Sequence, residues 1–203
     1  MSTRSRAWKR SSAEVVVTGL AYDGGQRPPA RAERRCAVTP LPEVCVVYVL
    51  RESDGTVEVL LGEKRRGLGR GRVVAPGGKL EPGESPVEAA VRELAEEVGL
   101  HAEPGDLVAH GILDYSFPHR PAWSQRSHVF LCRRWRGEVT ESADLAAEFV
   151  PLHSVPYERM WDDARWWLPG VLLRGEHARF RFEFGEDLAT VRATDVPGYT
   201  SAG

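Results

Sequence analysis

The stretch GGKLEPGESPVEAAVRELAEEVGL, residues 77–100, carries more structural information than any other part of the chain. Ser85, followed three residues later by Glu88, predicts a capping box, and the proline after Ser85 stands at the first helical position, where its missing N–H costs nothing. Gly99 can adopt the left-handed conformation that ends many helices. The sequence therefore predicts a helix over 85–98 between two loops that contain glycine.

This predicted helix has one apolar face and one acidic face. The apolar residues recur at spacings of three and four and would face the core: Val87, Ala90, Val91, Leu94 and Val98. Glu93, Glu96 and Glu97 stand at i, i+3 and i+4, where like charges repel one another. A divalent cation with a preference for oxygen ligands would convert that repulsion into coordination. Arg92 lies four residues before Glu96, close enough to orient it. A solvated acidic face is the alternative that the spacing alone leaves open.

Strands and a second helix are predicted on both sides of this helix from apolar runs, alternation and turn residues. Before it we expect a hairpin of strands at 44–50 and 56–64, a basic glycine-rich loop at 65–72 and a short strand at 73–75. After it we expect strands at 108–115, 127–133 and 147–151 and a helix at 162–173. A closing hairpin is expected from strands at 180–184 and 188–193. This order predicts an α+β fold in which helices cover a mixed sheet.

The charge is unevenly distributed along the chain. The whole chain has 27 Lys and Arg against 29 Asp and Glu, so a nucleic-acid partner is not expected. The first 42 residues, however, hold eight basic and three acidic residues. Apart from one predicted strand at 13–22, this segment has too little apolar surface to fold alone. We expect a basic, largely flexible extension at 1–42, a folded domain at 43–197 and a short tail at 198–203.

Composition also bears on the cellular compartment. No stretch approaches the ~20 uninterrupted apolar residues that cross a membrane, so no membrane partner is expected. The basic N-terminus is not followed by the apolar segment of a secretory signal. The three cysteines, Cys36, Cys45 and Cys132, are odd in number and show no paired spacing. These features predict a reduced, cytoplasmic protein.

The region around the acidic helix matches a longer pattern, G-x5-E-x7-R-E-U-x-E-E-x-G-U, in which U is a bulky aliphatic residue. The matching residues are Gly78, Glu84, Arg92, Glu93, Leu94, Glu96, Glu97, Gly99 and Leu100. This resembles the signature of the Nudix hydrolases. The resemblance implies an α/β/α sandwich with a loop-helix-loop catalytic motif, which hydrolyses a nucleoside diphosphate linked to another group. It further implies that Glu93, Glu96, Glu97 and the Gly77 carbonyl hold Mg²⁺, or alternatively Mn²⁺, that Glu93 binds metal or activates water, and that Arg92 orients Glu96.

From about residue 44 to 196 the chain is similar to the MutT-related hydrolases of oxidised purine nucleoside triphosphates. This similarity implies that Trp161 stacks on the purine and that Asp163 bonds to the base edge, alone or together with Asp162 through a one-residue shift. Asp144 would supply a further metal or water contact, with Glu148 as its rival. The nucleotide contacts expected elsewhere are Lys64, Val74, Gly77, Gly78 and Lys79.

Four positions depart from that group's pattern. Val74 stands where that group has an asparagine, and Leu68 stands where it has an aromatic residue. Cys45 replaces a threonine, and Ala164 replaces the second aspartate. These differences remove hydrogen-bonding groups from the base pocket while the stacking residue stays. Tyr115 and Phe117 could line that pocket or belong to the core, and for Trp166 and Trp167 the core is favoured.

The function expected from these features is metal-dependent hydrolysis of purine nucleoside triphosphates such as 8-oxo-dGTP to the monophosphate and pyrophosphate. One alternative is another Nudix substrate: ADP-ribose, a dinucleoside polyphosphate or a pathway-specific nucleotide. A second alternative is a Nudix module that senses nucleotides without hydrolysing them. The expected assembly is a monomer or a weak homodimer.

Overall fold

A computed structural model describes residues 40–200 of the chain. Within them are two α-helices, α1 (Pro86–Val98) and α2 (Ala164–Arg174). The same residues form eight strands: β1 (Glu43–Ser53), β2 (Thr56–Lys64), β3 (Val73–Val74), β4 (Leu107–Ser116), β5 (Gln125–Cys132), β6 (Leu145–Pro151), β7 (Ala178–Phe184) and β8 (Val191–Thr194). The strand predicted at 13–22 lies outside the described residues. None of the helices in the described part is long and apolar enough to cross a membrane.

The eight strands form one mixed sheet. Its order is β3-β2-β1-β5-β4-β7-β8, and β6 pairs with β2 outside this path. The pairs β1–β5 and β4–β7 are parallel, and the other pairs are antiparallel. The predicted α+β class with a mixed sheet is confirmed.

Each face of the sheet is covered by one helix, and each interface has its own apolar core. On the α1 side the buried residues include Val47, Val49, Leu60, Leu94 and Val98. On the α2 side they include Leu50, Leu61, Val129, Trp167 and Leu168. Burying a side chain of this size contributes roughly 1.5–3 kcal/mol. The expected α/β/α sandwich is confirmed.

Helix α1 begins and ends as the sequence predicts. The Ser85 hydroxyl accepts a hydrogen bond from the Glu88 backbone N–H at 3.4 Å, and the Ser85 N–H donates to the Glu88 carboxylate at 2.8 Å. Gly99 has φ +71°, the left-handed conformation of a C-terminal cap. The capping box and the glycine cap are therefore both confirmed.

The predicted boundaries are wrong in the last hairpin and at the start of α2. Strand β8 begins at Val191, not at residue 188, because Leu188 has φ +56° inside a turn. The Asp187 carboxylate holds this turn by accepting the N–H groups of Ala189 and Thr190, each at 3.0 Å. Helix α2 begins at Ala164 and not at residue 162, because Asp163 is its N-cap and Asp162 lies before the cap, where its carboxylate accepts the Val191 N–H of β8.

Candidate active site

A cavity of about 310 Å³ lies at the end of the sheet between β1, β5, the segment that follows β3 and the start of α2. Its lining includes seven of the residues predicted to bind substrate: Lys64, Val74, Gly77, Gly78, Lys79, Trp161 and Asp163. The eighth, Asp162, is not part of the lining. Residues almost a hundred positions apart in the chain therefore meet around one space.

Trp161 is held on three sides. Its ring contacts Phe117 and Phe184 edge to face, with ring centroids 6.0 and 5.6 Å apart. The guanidinium of Arg72 lies 4.3 Å from the centre of the Trp161 ring, and Arg72 also donates to the Met160 carbonyl at 2.8 Å. A flat aromatic surface is thus oriented at the cavity before any ligand binds.

Asp163 is a buried carboxylate, with 2% of its surface exposed. Its Oδ2 accepts hydrogen bonds from the Tyr115 hydroxyl at 2.9 Å and from the Trp167 indole N–H at 2.8 Å. Its Oδ1 is buried and has no hydrogen-bond partner in the described residues. Burial raises the pKa of Asp163 to about 6. An unpaired buried oxygen is costly, and a ligand that donates a hydrogen bond would satisfy it.

Asp162, by contrast, bonds to neighbouring structure. Its Oδ2 accepts the Val191 backbone N–H at 2.9 Å, and its Oδ1 pairs with Arg165 at 2.5 Å. The two adjacent aspartates therefore point to different surroundings. Asp162 links the start of β8 to α2, and Asp163 faces the cavity.

Arg92 connects the acidic face of α1 to the loop before the helix. Its guanidinium donates to both carboxylate oxygens of Glu84 at 2.9 Å, to Glu93 at 2.8 Å and to Glu96 at 3.1 Å. It also donates to the Lys79 carbonyl at 3.0 Å. The predicted contact between Arg92 and Glu96 is present, and Glu84 gives Arg92 two further hydrogen bonds.

Glu97 is 8% exposed and bridges two parts of the cavity wall. One carboxylate oxygen lies 3.2 Å from the Lys64 ammonium, and the other accepts the Gly77 N–H at 2.9 Å. A Cβ at position 77 would lie 2.2 Å from the Cys45 carbonyl oxygen. Only glycine therefore allows this backbone to approach both β1 and Glu97.

Gly78 makes room for Glu93. A Cβ at position 78 would lie 2.1 Å from Glu93 Oε1, so the carboxylate rests against bare backbone. Burial is the main cause that raises the pKa of Glu93; the charges of Glu97 and Glu96 add to it, and Arg92 opposes it. This is a carboxylate that would gain from a nearby cation.

The glutamates suit a hard divalent ion by chemistry, although the described residues contain no ready cage for one. No group of three His, Cys, Asp or Glu side chains between residues 40 and 200 is arranged around a possible ion. Glu96 is largely exposed, and Glu97 is engaged by Lys64. Carboxylate oxygens are the donors that Mg²⁺ and Mn²⁺ prefer. To hold an ion, Glu97 would exchange its contact with Lys64.

Neither candidate for the additional acidic contact lines the cavity. The Asp144 carboxylate is about half exposed and lies 3.8 Å from Arg66. Glu148 is exposed on β6 opposite Leu61, whose side chain belongs to the α2-side core. Asp144 is the nearer of the two to Lys64 along the sheet, because the next residue, Leu145, pairs with Lys64.

The four positions that depart from the oxidised-purine hydrolase pattern all line the cavity: Cys45, Leu68, Val74 and Ala164. Burial raises the pKa of Cys45 to about 11, so this thiol stays neutral. Three of the four side chains are apolar. The wall of the cavity therefore has few hydrogen-bonding groups at these positions.

Sequence reasoning missed Arg72, Gln125 and Ser127 at this site, and it named Tyr115 as a pocket candidate without its bond to Asp163. Arg72 contacts Trp161, the Tyr115 hydroxyl bonds to Asp163, and both Gln125 and Ser127 line the cavity. A signal for the last two was present, since they are polar at the inward positions of a strand that continues with Val129 and Leu131. The contacts of Arg72 and Tyr115 have no such signal.

Comparison with known proteins agrees with this geometry. The model of the NUDIX domain matches residues 39–171. The chain is 30% identical over 142 residues to the oxidized purine nucleoside triphosphate hydrolase of Mus musculus, covering 70% of this chain and 89% of the mouse protein. The chain is 32% identical over 138 residues to the protein of the same name from Danio rerio, covering 68% of this chain and 86% of the zebrafish protein.

A bacterial relative is similar in sequence, and a solved structure is similar in fold. The 8-oxo-dGTP diphosphatase of Escherichia coli is 45% identical over 79 residues, which cover 38% of this chain and 56% of that protein. The crystal structure of the MutT protein from Bacillus halodurans has a TM-score of 0.64 at 24% identity, covering 79% of this chain and 100% of the other. The chain therefore belongs to the Nudix hydrolase family.

Proposed function

We propose that this protein hydrolyses oxidised purine nucleoside triphosphates such as 8-oxo-dGTP to the monophosphate and pyrophosphate. The observation that carries the proposal is one cavity lined by Trp161 and the buried Asp163. Its lining also includes the residues that contact Glu93 and Glu97. The names of the mouse and zebrafish relatives support the choice of oxidised purines. The proposal includes a cytoplasmic monomer or weak homodimer that acts on the free nucleotide pool.

The purine would bind beside Trp161. Stacking of a base on an aromatic side chain contributes ~1–3 kcal/mol, and the oriented ring loses little freedom on binding. The unpaired Oδ1 of Asp163 would accept a hydrogen bond from an N–H group on the base edge. A base that supplies this donor removes the penalty of leaving the oxygen unpaired.

The phosphates would bind at the Lys64 end of the cavity. Lys64 and Lys79 line it there, and an ammonium group suits a triphosphate as a point charge. Nudix hydrolases use a divalent metal, and here Glu93, Glu96, Glu97 and the Gly77 carbonyl would hold Mg²⁺ or Mn²⁺. When bound, such an ion neutralises phosphate charge and makes water a stronger nucleophile.

The remaining steps belong to the chain's own side chains. Arg92 holds the carboxylates of Glu93 and Glu96 in place through the hydrogen bonds described above. Glu93 would either bind the metal or take a proton from the attacking water, since its carboxylate lies against the Gly78 backbone in the cavity wall. Lys64 would move from Glu97 to the phosphates as the nucleotide enters.

The test is hydrolysis by the purified protein with Mg²⁺ of a panel of oxidised and normal purine triphosphates, ADP-ribose and diadenosine polyphosphates. We expect monophosphate and pyrophosphate, with the highest kcat/KM for an oxidised purine. Activity confined to ADP-ribose or to the dinucleotides would overturn the substrate assignment. Tight binding of a nucleotide without hydrolysis of any would instead indicate a sensing module.

Glu97→Gln tests the metal site within the same assay. The change removes a charged oxygen ligand and keeps the size of the side chain, so kcat should fall by about a hundredfold or more. Glu88→Gln is the matched control on the same helix, because glutamine also completes a capping box. Unchanged turnover in Glu97→Gln would contradict the proposed role of the acidic face.

A further inference from the structure

Strand β5 brings two uncommitted polar side chains to the cavity. Gln125 and Ser127 line it, and alternation places them on the same face as the core residues Val129 and Leu131. Ser127 is buried, with 4% of its surface exposed. These polar groups stand in a cavity whose lining is apolar at three of the four positions discussed above.

Gln125 continues a row of polar groups that includes the buried carboxylate. In the pairing of β4 with β5 it lies directly opposite Tyr115, where side chains on one face come within contact. The Tyr115 hydroxyl donates to Asp163 at 2.9 Å. Within residues 40–200 the structure gives the Gln125 carboxamide no hydrogen-bond partner. We call Gln125, Tyr115 and Asp163 the polar row.

The chemistry of purine oxidation matches a carboxamide at this place. In an unmodified guanine, N7 is a hydrogen-bond acceptor next to the O6 acceptor. Oxidation at C8 turns N7 into an N–H donor and adds a second carbonyl beside it. A carboxamide has one oxygen acceptor and one NH₂ donor, so it can accept from N7–H and donate to an adjacent carbonyl at the same time.

We propose that Gln125 is the residue that distinguishes an oxidised purine from an unmodified one, by a paired hydrogen bond to N7–H and a neighbouring carbonyl. This inference rests on the proposed function and adds the group that reads the modification. Asp163, at the other end of the polar row, accepts from a different N–H of the same base. In unmodified guanine N7 and O6 are both acceptors, so the amide can only donate to this edge and its oxygen has no N–H to accept.

The test compares wild type, Gln125→Met and Gln125→Glu on 8-oxo-dGTP, dGTP and 8-bromo-dGTP. The bromo compound has a large group at C8 and keeps N7 as an acceptor, so it separates shape from the N–H donor. Wild type should favour 8-oxo-dGTP over both others. In Gln125→Met the kcat/KM ratio of 8-oxo-dGTP to dGTP should fall by about tenfold to a hundredfold, the usual discrimination of a bidentate contact. Gln125→Glu keeps the acceptor and loses the donor, so its ratio should lie between the two.

Arg126→Met is the matched control, because it also removes a polar group from β5. Its side chain lies on the opposite face of the strand and pairs with Asp114 at 2.7 Å. This variant should keep the wild-type ratio. Thermal unfolding of each variant shows whether it is folded, and Gln125→Glu serves as the second variant if Gln125→Met is not.

Two outcomes would overturn the inference, and they differ from each other. If wild type favours 8-oxo-dGTP and folded Gln125→Met keeps that preference, Gln125 does not read the modification, while the proposed function stands. If wild type does not favour 8-oxo-dGTP over dGTP, the proposed function fails and this inference fails with it.

Discussion

At the scale of single residues, Asp163 combines a structural cost with a place in the cavity. Its buried carboxylate accepts two hydrogen bonds, and its second oxygen has no partner in the described residues. Because burial raises its pKa from 3.8 to about 6, the ionised form destabilises the folded state at neutral pH. A buried carboxylate with a shifted pKa in a cavity is a candidate for ligand binding.

The first prediction at this scale concerns Asp163→Asn. The amide oxygen can still accept from Tyr115 and Trp167, and the buried charge is gone. A raised carboxyl pKa destabilises the fold most at a pH above the folded value, and this effect declines as pH falls towards the unfolded value. The variant should therefore be more stable than wild type by up to about 3 kcal/mol at pH 7.5, and by less at pH 5.

Urea unfolding of both proteins at the two pH values measures this difference. The same variant should have a lower kcat/KM for oxidised purine triphosphates, since its amide cannot offer the carboxylate acceptor. A variant that is less stable than wild type at pH 7.5 would show that the ionised carboxylate is satisfied by contacts other than those described.

The second prediction concerns Arg72, which acts through Trp161. Its guanidinium lies over the indole and bonds to the Met160 carbonyl, and a cation over an aromatic face contributes roughly 0.5–2 kcal/mol. Arg72→Gln should loosen the indole and raise KM by about tenfold with a smaller change in kcat. Arg70→Gln, an exposed change in the same loop, is the control. If kcat in Arg72→Gln falls by as large a factor as KM rises, Arg72 acts in the chemical step instead.

At the scale of elements, the local sequence almost completely determines helix α1. The helix does not by itself determine the site to which its carboxylates belong. Its caps, apolar face and acidic face all follow from residues within a few positions of one another. The positions of its carboxylates depend on the loop before it, where Gly77 and Gly78 lie against Glu97 and Glu93. The loop and the helix therefore work as one element.

The prediction at this scale is that Gly78→Ala separates folding from activity. The three atoms nearest to the new Cβ would all belong to the Glu93 carboxyl group, so Glu93 should move while the fold tolerates the change. Thermal stability should be almost unchanged, and turnover should fall by about tenfold to a hundredfold, as when groups that position metal ligands are lost. Gly105→Ala, where a Cβ meets open space, is the control. Full activity in Gly78→Ala would show that Glu93 is not needed in its present position.

At the scale of the whole molecule, the sheet brings together parts of the chain that are far apart in sequence. Parallel pairing of β1 with β5 sets Cys45 beside His128, and antiparallel pairing of β4 with β5 sets Tyr115 beside Gln125. Helix α2 then brings Asp163 and Trp167 to the same cavity. The side of the cavity at Trp161 thus depends on the complete sheet and its second helix, and the side at Gly77 and Gly78 depends mainly on α1 and the loop before it.

Prediction from sequence succeeds where the determining interactions are local. The capping box at Ser85, the acidic spacing of Glu93, Glu96 and Glu97, and the alternation of the strands are short-range patterns. They predicted the acidic helix and an α+β fold with a mixed sheet, and the family resemblance implied the sandwich. The roles of the predicted site residues stay predictions. What the structure adds is which of these residues share one cavity.

The tertiary structure alone decided the remaining features, because each depends on a contact between distant segments. Neighbouring aspartates 162 and 163 look equivalent in sequence, yet the first bonds to β8 and the second faces the cavity. The contact of Arg72 with Trp161 and the place of Gln125 opposite Tyr115 depend on the loop path and the strand register. The register of β4 and β5 depends on how the connection at 117–124 and the buried faces of both strands fit together, and only the folded structure shows that fit.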